Sequence, residues 1–391
     1  MSKGDASYIK QMNRRILIEH ILKEKSLSRS DLSRRTGLNK ATVSVQINEL
    51  IQEEIVVEQK VGESVTLGRK PILLEMNDQA GYSIGIDIDD TVIRGVFLDF
   101  KGNPFHHICL PITNNNFETI INEIEIHLLP LINKFNKKHK PRGLIGVCVG
   151  IHGIINNDSQ IIFTPKHHWS NVHAKERLEE TFHTPVFIDN NANLSAYGEH
   201  VYFENISDLF CITLFSGIGL GIINNFSIYR GFQGFAGEVG HMIIDPNGPT
   251  CACGNHGCWE LYASEKELLH KLSNHFPEKI HNSSPAELLE HPSFAEPFDH
   301  YLSSLSYGLN NIINIFNPQR IVLNGALINK NPNVVEEIKN KLHSKINNYE
   351  EIRISQLGES ACAMGGAAFV LKDYFNLQTL DFLSYEYFTS D

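Results

Sequence analysis

The sequence predicts an N-terminal winged helix-turn-helix followed by a larger α/β body, a mixed sheet covered by helices. Three observations carry this prediction. Two short helical patterns with capping residues flank Gly37 near the start of the chain. From about Gly81 onward, strand-length apolar runs alternate with helical patterns. The charge also changes sign: residues 1–70 carry 13 Lys+Arg against 9 Asp+Glu, and the remainder 21 against 36. A net +4 on the first part and −15 on the rest directs a polyanion to the N-terminal segment and keeps it off the body.

The 391 residues suffice for two or three domains with a sizeable core. With 42% hydrophobic and 20% charged residues, the composition is that of an ordinary globular chain. The longest apolar runs, such as 144–151, fall far short of the roughly 20 residues that span a bilayer. The first ten residues, MSKGDASYIK, hold no apolar stretch, so a cytoplasmic protein with no membrane partner is expected. Seven cysteines, an odd number, do not suggest a disulfide framework. Cys109, Cys148, Cys211 and Cys362 are scattered and read as small buried hydrophobes, whereas three cluster within 251–258.

Ile9, Met12, Ile16, Leu17 and Ile21 recur at helical spacing and predict a first amphipathic helix. Ser28-Arg29-Ser30-Asp31 is a capping-box pattern opening a short helix that ends at Gly37. Glycine there permits the φ > 0 turn that a tight connection requires. Asn39 is the expected N-cap of a third helix, with Leu38 and Val43 as its hydrophobic staple. Val43, Ile47, Leu50 and Ile51 predict the inward stripe of that helix. Its outer face carries Lys40, Ala41, Ser44, Val45 and Asn48, the small and polar side chains a recognition helix presents to base edges. Asn39, Lys40 and Thr42 lie at its N-terminal end, where Lys40 and Thr42 are placed to hold phosphates. Residues 55–61 and 71–75 predict two strands around a polar loop, putting Arg69 and Lys70 on a wing. The expected first domain is residues 1–75 and its expected partner is operator DNA. Such units usually read two half-sites, so a homodimer is expected.

In the body, strands are expected at 82–88 and 92–99 around the turn Asp89-Asp90-Thr91, and at 144–151 after a break at 140–143. A short strand at 185–188 runs into Asp189-Asn190-Asn191-Ala192-Asn193 and then a helix. A hairpin over 212–223 carries Ser216-Gly217-Ile218-Gly219-Leu220-Gly221 at its start. Such a glycine-rich turn is only a weak phosphate signal by itself, because glycines often serve close packing. Cys251, Cys253 and Cys258, with His241 upstream and Gly254 and Gly257 for the turns, supply three thiolates and an imidazole. That set suits a four-coordinate structural zinc and leaves no open catalytic position.

The succession GIDIDDT, a buried strand with Gly150 and Gly153, IDNNAN, SGIGLG, GFAGEVGH and CACGNHGCWE resembles the ROK family over essentially the whole chain. That family contains bacterial sugar kinases, and repressors with the same body behind a winged helix. The resemblance implies a two-lobed, actin-like sugar-kinase fold, with lobes at 76–195 and 196–391, the second bearing the zinc motif and a dimerisation surface. It implies sugar contacts at Asn190, Asn191, Glu238, His241 and Glu260. Carboxylates and amides are suited to sugar hydroxyls, which are paired donors and acceptors. The stretch 230–266, with Phe163-Thr164-Pro165 and Trp169, is similar to xylose-responsive repressors of the family, which implies D-xylose as the inducer.

The chain departs from the kinase pattern in three places. Family kinases read N-D-A-N where this chain has Asn191, an amide that can bond a sugar hydroxyl but cannot take its proton. Asp89 and Asp90 stand where kinases have a glycine pair, and two carboxylates there repel a triphosphate. His152-Gly153 replaces the Pro-Gly that faces the sugar. Asp87 and SGIGLG are retained, and Asp189 is displaced by one residue from the position of the base. The expectation is a sugar sensor with no enzyme activity and no ATP requirement. The alternative is a ROK-type sugar kinase with an accessory DNA-binding arm.

Overall fold

The computed structural model describes residues 6–60, 71–275, 291–331 and 333–382. Arg69 and Lys70 of the expected wing lie outside these residues. The N-terminal unit comprises α1 (Ala6–Glu24), α2 (Arg29–Thr36) and α3 (Lys40–Gln52). Its capping follows the sequence. Ser28 Oγ accepts from the Asp31 amide at 3.1 Å and Asp31 accepts in return from the Ser28 amide at 3.3 Å. Gly37 ends α2 at φ 72°, and Asn39 Oδ1 accepts from the Thr42 amide at 2.8 Å. The buried stripe of α1 is Leu17, Ile18, Ile21 and Leu22. Ile9 is 46% exposed, a departure from the expected stripe, since among the described residues α1 is buried only from Leu17 onward.

Strands β1 (Leu27–Ser28), β2 (Val56–Lys60) and β3 (Ile72–Met76) form an antiparallel sheet in the order β1-β3-β2. The wing strands fall where expected. The two-residue β1 is too short to leave a periodic signal.

The body contains two five-stranded sheets built on one plan. The first comprises β4 (Gly81–Ile88), β5 (Val92–Asp99), β6 (Pro104–Pro111), β7 (Gly143–Ile151) and β11 (Val186–Asn190). Its order is β11-β7-β4-β5-β6, an antiparallel meander with two parallel strands added beside β4. Between β7 and β11, the short strands β8 (Ile154–Ile155), β9 (Ile161–Phe163) and β10 (Ser170–Val172) form a side sheet. The second sheet comprises β12 (Asp208–Thr213), β13 (Gly219–Asn224), β14 (Ser227–Ile228), β15 (Arg320–Asn324) and β16 (Glu351–Ile354), ordered β14-β13-β12-β15-β16. Meander followed by parallel additions repeats the first sheet. The hairpin opens at Asp208 rather than 212, since Leu209, Phe210 and Cys211 continue the same apolar strand through Thr213. SGIGLG therefore spans the turn instead of opening the hairpin.

Helices α4 (Phe117–Phe135) and α5 (Ala174–Phe182) share an apolar cluster with the first sheet. Helix α6 (Asn191–Glu199) leaves β11 directly and continues as a π-helical stretch, His200–Glu204. Then follow α7 (Glu260–Ala263), α8 (Glu265–His275), α9 (Ala295–Phe316), α10 (Val334–Lys341) and α11 (Ala361–Tyr374). The chain finally turns back on itself, because α11 packs on α6 and against β4 and β7. Contact is by backbone: a Cβ at Gly365 would lie 1.9 Å from Leu194 O, and one at Gly85 would lie 1.8 Å from Ala363 O. Larger residues at either point would force the helix off its seat. Among the described residues, no helix is long and apolar enough to cross a membrane.

Candidate functional site

On α3, Asn39, Lys40, Ala41, Val45 and Asn48 are exposed, and Thr42 and Ser44 are half-buried. Val45 stands 57% exposed among polar neighbours, an apolar contact of the kind that meets a thymine methyl. Asn48 Oδ1 accepts from Arg29 Nη2 at 2.9 Å, and Arg29 also pairs with Glu58 of β2 at 2.6 Å. That guanidinium, which the sequence did not single out, ties the outer face of α3 to β2.

A cavity of about 440 Å³ opens between the two sheets, and Asn190, Asn191, Glu238, His241 and Glu260 all line it. The elements that bring them together are the β11–α6 junction, the loop after β14 and the start of α7. Asn190 serves two ends. Its Oδ1 caps α6 by accepting from the Ala192 amide at 2.8 Å, while its Nδ2 donates to Gly153 O at 2.8 Å. Asp189 does not line the cavity. Its carboxylate takes Arg230 Nε at 3.0 Å and Asn193 Nδ2 at 2.9 Å, so it is committed elsewhere as the strand's alternation requires. Burial raises the Glu238 carboxyl above its ordinary range, with the imidazoles of His241 and His152 opposing.

The departures at 90 and 152 are a single feature. His152 Nδ1 lies 3.0 Å from Asp90 Oδ1 and 3.2 Å from Ser216 Oγ. Asp90 is thus a partnered carboxylate, where the sequence suggested a bare charge. Arg94 makes a second bridge, 3.5 Å from Asp89 and 2.8 Å from Glu359. The first reaches the second sheet through Ser216 of SGIGLG, and the second runs from Arg94 in β5 to Glu359 just before α11. Burial pulls the His152 pKa down, but the Asp90 hydrogen bond and the charges of Asp90, Asp89 and Asp87 outweigh it, and the net shift is upward. Burial, aided by the Asp89 charge, pushes Asp87 up to about 7. A lone arginine in the apolar strand VIRGVFLD was the available signal for Arg94, whereas nothing local marked Glu359. The loop holding FTP and Trp169 folds over the first turn: His167 Nε2 lies 3.0 Å from Asp89 O and its ring stacks on Trp169 at 4.8 Å.

His241, Cys251, Cys253 and Cys258 converge, with ligand atoms within 4.8 Å of one another. Cys253 and Cys258 sulfurs are 3.5 Å apart, and Cys251 Sγ is 3.7 Å from His241 Nδ1. A tetrahedral zinc with ordinary bond lengths asks for separations of about 3.8 and 3.6 Å. The donor set therefore fits. Burial and the neighbouring thiols push Cys258 up to about 12, so holding it as thiolate at neutral pH takes a cation. The two nitrogens of His241 face different ways, Nδ1 towards the cysteines and Nε2 towards Glu238 at 4.0 Å.

The ROK family profile matches residues 83–373. The chain belongs to the ROK family. A winged helix-turn-helix DNA-binding profile matches residues 11–57, which joins a DNA-binding unit to the ROK body. The chain is 37% identical to the xylose repressor of Bacillus subtilis (strain 168), over 97% of this chain and all (100%) of that protein. Among solved structures, a ROK family transcriptional regulator homologous to the E. coli MLC protein has the same fold. Its TM-score is 0.77 at 19% identity, covering 94% of this chain and 97% of that one. A ROK family glucokinase from Streptomyces griseus, in complex with glucose and AMPPNP, matches at TM-score 0.64 and 25% identity. It covers 74% of this chain and 99% of the glucokinase. The ROK body is thus shared with kinases, and the N-terminal unit with regulators.

Proposed function

We propose that this ROK protein is a sugar-responsive transcriptional repressor of xylose-utilisation genes, a cytoplasmic homodimer that D-xylose releases from operator DNA. The observation that carries it is a DNA-binding unit joined to a ROK body whose cleft holds His152 against Asp90 and Ser216, and Arg94 against Glu359. Residues 1–75 read DNA through Asn39, Lys40, Ala41, Thr42, Ser44, Val45 and Asn48, with Arg69 and Lys70 supplying further cations. Two lobes, 76–195 and 196–391, hold the sugar between Asn190, Asn191, Glu238, His241 and Glu260. A structural zinc on His241, Cys251, Cys253 and Cys258 orders the loop that carries Glu238. Full-length likeness to xylose repressors supports xylose as the sugar. No ATP is required, and the kinase reading is the weaker one because Asn191 cannot take a proton from a sugar hydroxyl.

Sugar must bind the DNA-released state more tightly than the DNA-bound one, or it shifts nothing. Fluorescence anisotropy with a duplex selected by the protein from a random-sequence pool tests this. D-xylose is expected to weaken DNA binding by about tenfold or more. Unchanged DNA affinity at saturating xylose rejects the reading.

A further inference from the structure

We propose that Asp381 is a positioning residue for the sugar response, tying the far end of the sugar-pocket helix to the DNA-binding unit. This rests on the repressor reading above. The connection can be followed atom by atom. Helix α6 starts at the cleft with Asn190 and Asn191 and runs without a break into the π-helical stretch His200–Glu204. That stretch ends at Asn205, whose Nδ2 donates to Asp381 Oδ2 at 2.5 Å. The same carboxylate oxygen lies 2.9 Å from Lys23 Nζ in the last turn of α1. The Asp381 side chain is only 6% exposed, so its carboxylate is held at the buried end of the ion pair, while Lys23 is 53% exposed.

The chain around Asp381 holds both sides at once. The Phe382 amide donates to Val201 O at 2.9 Å, within the π-helical stretch. The Gln378 amide donates to Glu19 Oε1 of α1 at 2.7 Å. Leu17, Ile21 and Leu22 of α1 share one apolar cluster with Phe375, Leu377 and Phe382. Helix α11, which delivers this segment, is seated on α6 through backbone contact at Gly365 and Gly198, so it cannot shift independently of α6. A displacement of α6 when sugar fills the cleft is therefore passed to Asp381 and to α1. π-helical turns sit in helices where function demands an irregular register, and this one lies at the hand-over point.

The test measures three quantities on the full-length protein: DNA affinity without sugar, D-xylose affinity without DNA, and the ratio of DNA affinities without and with saturating D-xylose. The DNA probe is the duplex selected from the random-sequence pool. In Asp381→Asn the first two are expected to stay within about twofold of wild type, while the ratio collapses by about fivefold or more. A merely structural role would instead lower the melting temperature and DNA affinity and leave the ratio intact. Lys23→Gln removes the same ion pair from its exposed end and decides the matter if Asp381→Asn does not fold. Variants with the full wild-type ratio overturn this proposal alone. A wild type indifferent to D-xylose overturns the repressor reading, and this proposal with it.

Discussion

Replacing Glu199 with alanine tests the joint that seats α6 in the second lobe. Glu199 is fully buried, and its carboxylate accepts from Arg353 Nη2 at 2.9 Å, Ser355 Oγ at 2.5 Å and the Leu357 amide at 3.1 Å. Arg353 is itself only 11% exposed, so the variant removes this carboxylate from beside a largely buried guanidinium. Breaking one half of such a pair costs about 3–5 kcal/mol. Two donors also lose their acceptor, at ~1–3 kcal/mol each where no water replaces it, and these costs overlap. A net loss of roughly 4 kcal/mol is a large part of a typical total of ~5–15 kcal/mol. At about 2 °C per kcal/mol for a chain of this class, the melting temperature should fall by about 8 °C. Differential scanning fluorimetry measures it. The double variant Glu199→Leu, Arg353→Met removes both charges and should recover at least half of the loss, since apolar replacement of a buried pair is often neutral. A Glu199→Ala melting temperature within about 2 °C of wild type would refute the argument that this ion pair anchors α6.

Three further outcomes follow from the cleft and the cysteine cluster. Chelating zinc, or Cys253→Ser, should lower the melting temperature and weaken D-xylose binding by about tenfold; a metal-free protein with unaltered stability and sugar affinity removes zinc from the account. The His152–Asp90 contact should depend on pH. His152 has a folded pKa raised above 6.5, so its contribution is complete below that value and is lost as pH rises through the raised one. Asp90 is lowered and stays ionised across this window, burial being outweighed by its bonds to His152 and Ser216. The melting-temperature advantage of wild type over His152→Gln should therefore shrink as pH rises above about 6.5, and a pH-independent difference contradicts the pairing. Asn191→Asp should give no more than trace ADP release with xylose or glucose, because both bridges remain. Turnover in the ordinary kinase range of ~1–10³ per second would overturn that view.

The local chemistry of this chain was legible in its residues. Ser28, Asp31, Gly37 and Asn39 act within three or four positions of themselves, so caps and turns could be placed from spacing alone. The strands at 82–88 and 92–99 showed as apolar runs for the same reason. Distant partnerships left no such mark. His152 meets Asp90 across 62 positions and Arg94 meets Glu359 across 265, distances set by sheet order rather than by any period. The sequence marked Asp90 and His152 as separate departures, and only the parallel pairing of β4 with β7 brings their loops together. Ile9 shows the opposite failure, where helical spacing was correct but the described residues leave that turn of α1 uncovered.

The imidazole of His241, with one nitrogen on the cysteines and the other towards Glu238, has a consequence for physiology. Zinc at one nitrogen and a sugar hydroxyl at the other would each stiffen the ring for its counterpart. Linkage then obliges the sugar to strengthen metal retention by the same factor as the metal strengthens sugar binding. A cell starved of zinc would hold a protein slow to perceive its inducer, and the pentose genes would stay silent in the presence of the sugar. Metal supply would thereby become a second condition on the use of that carbon source.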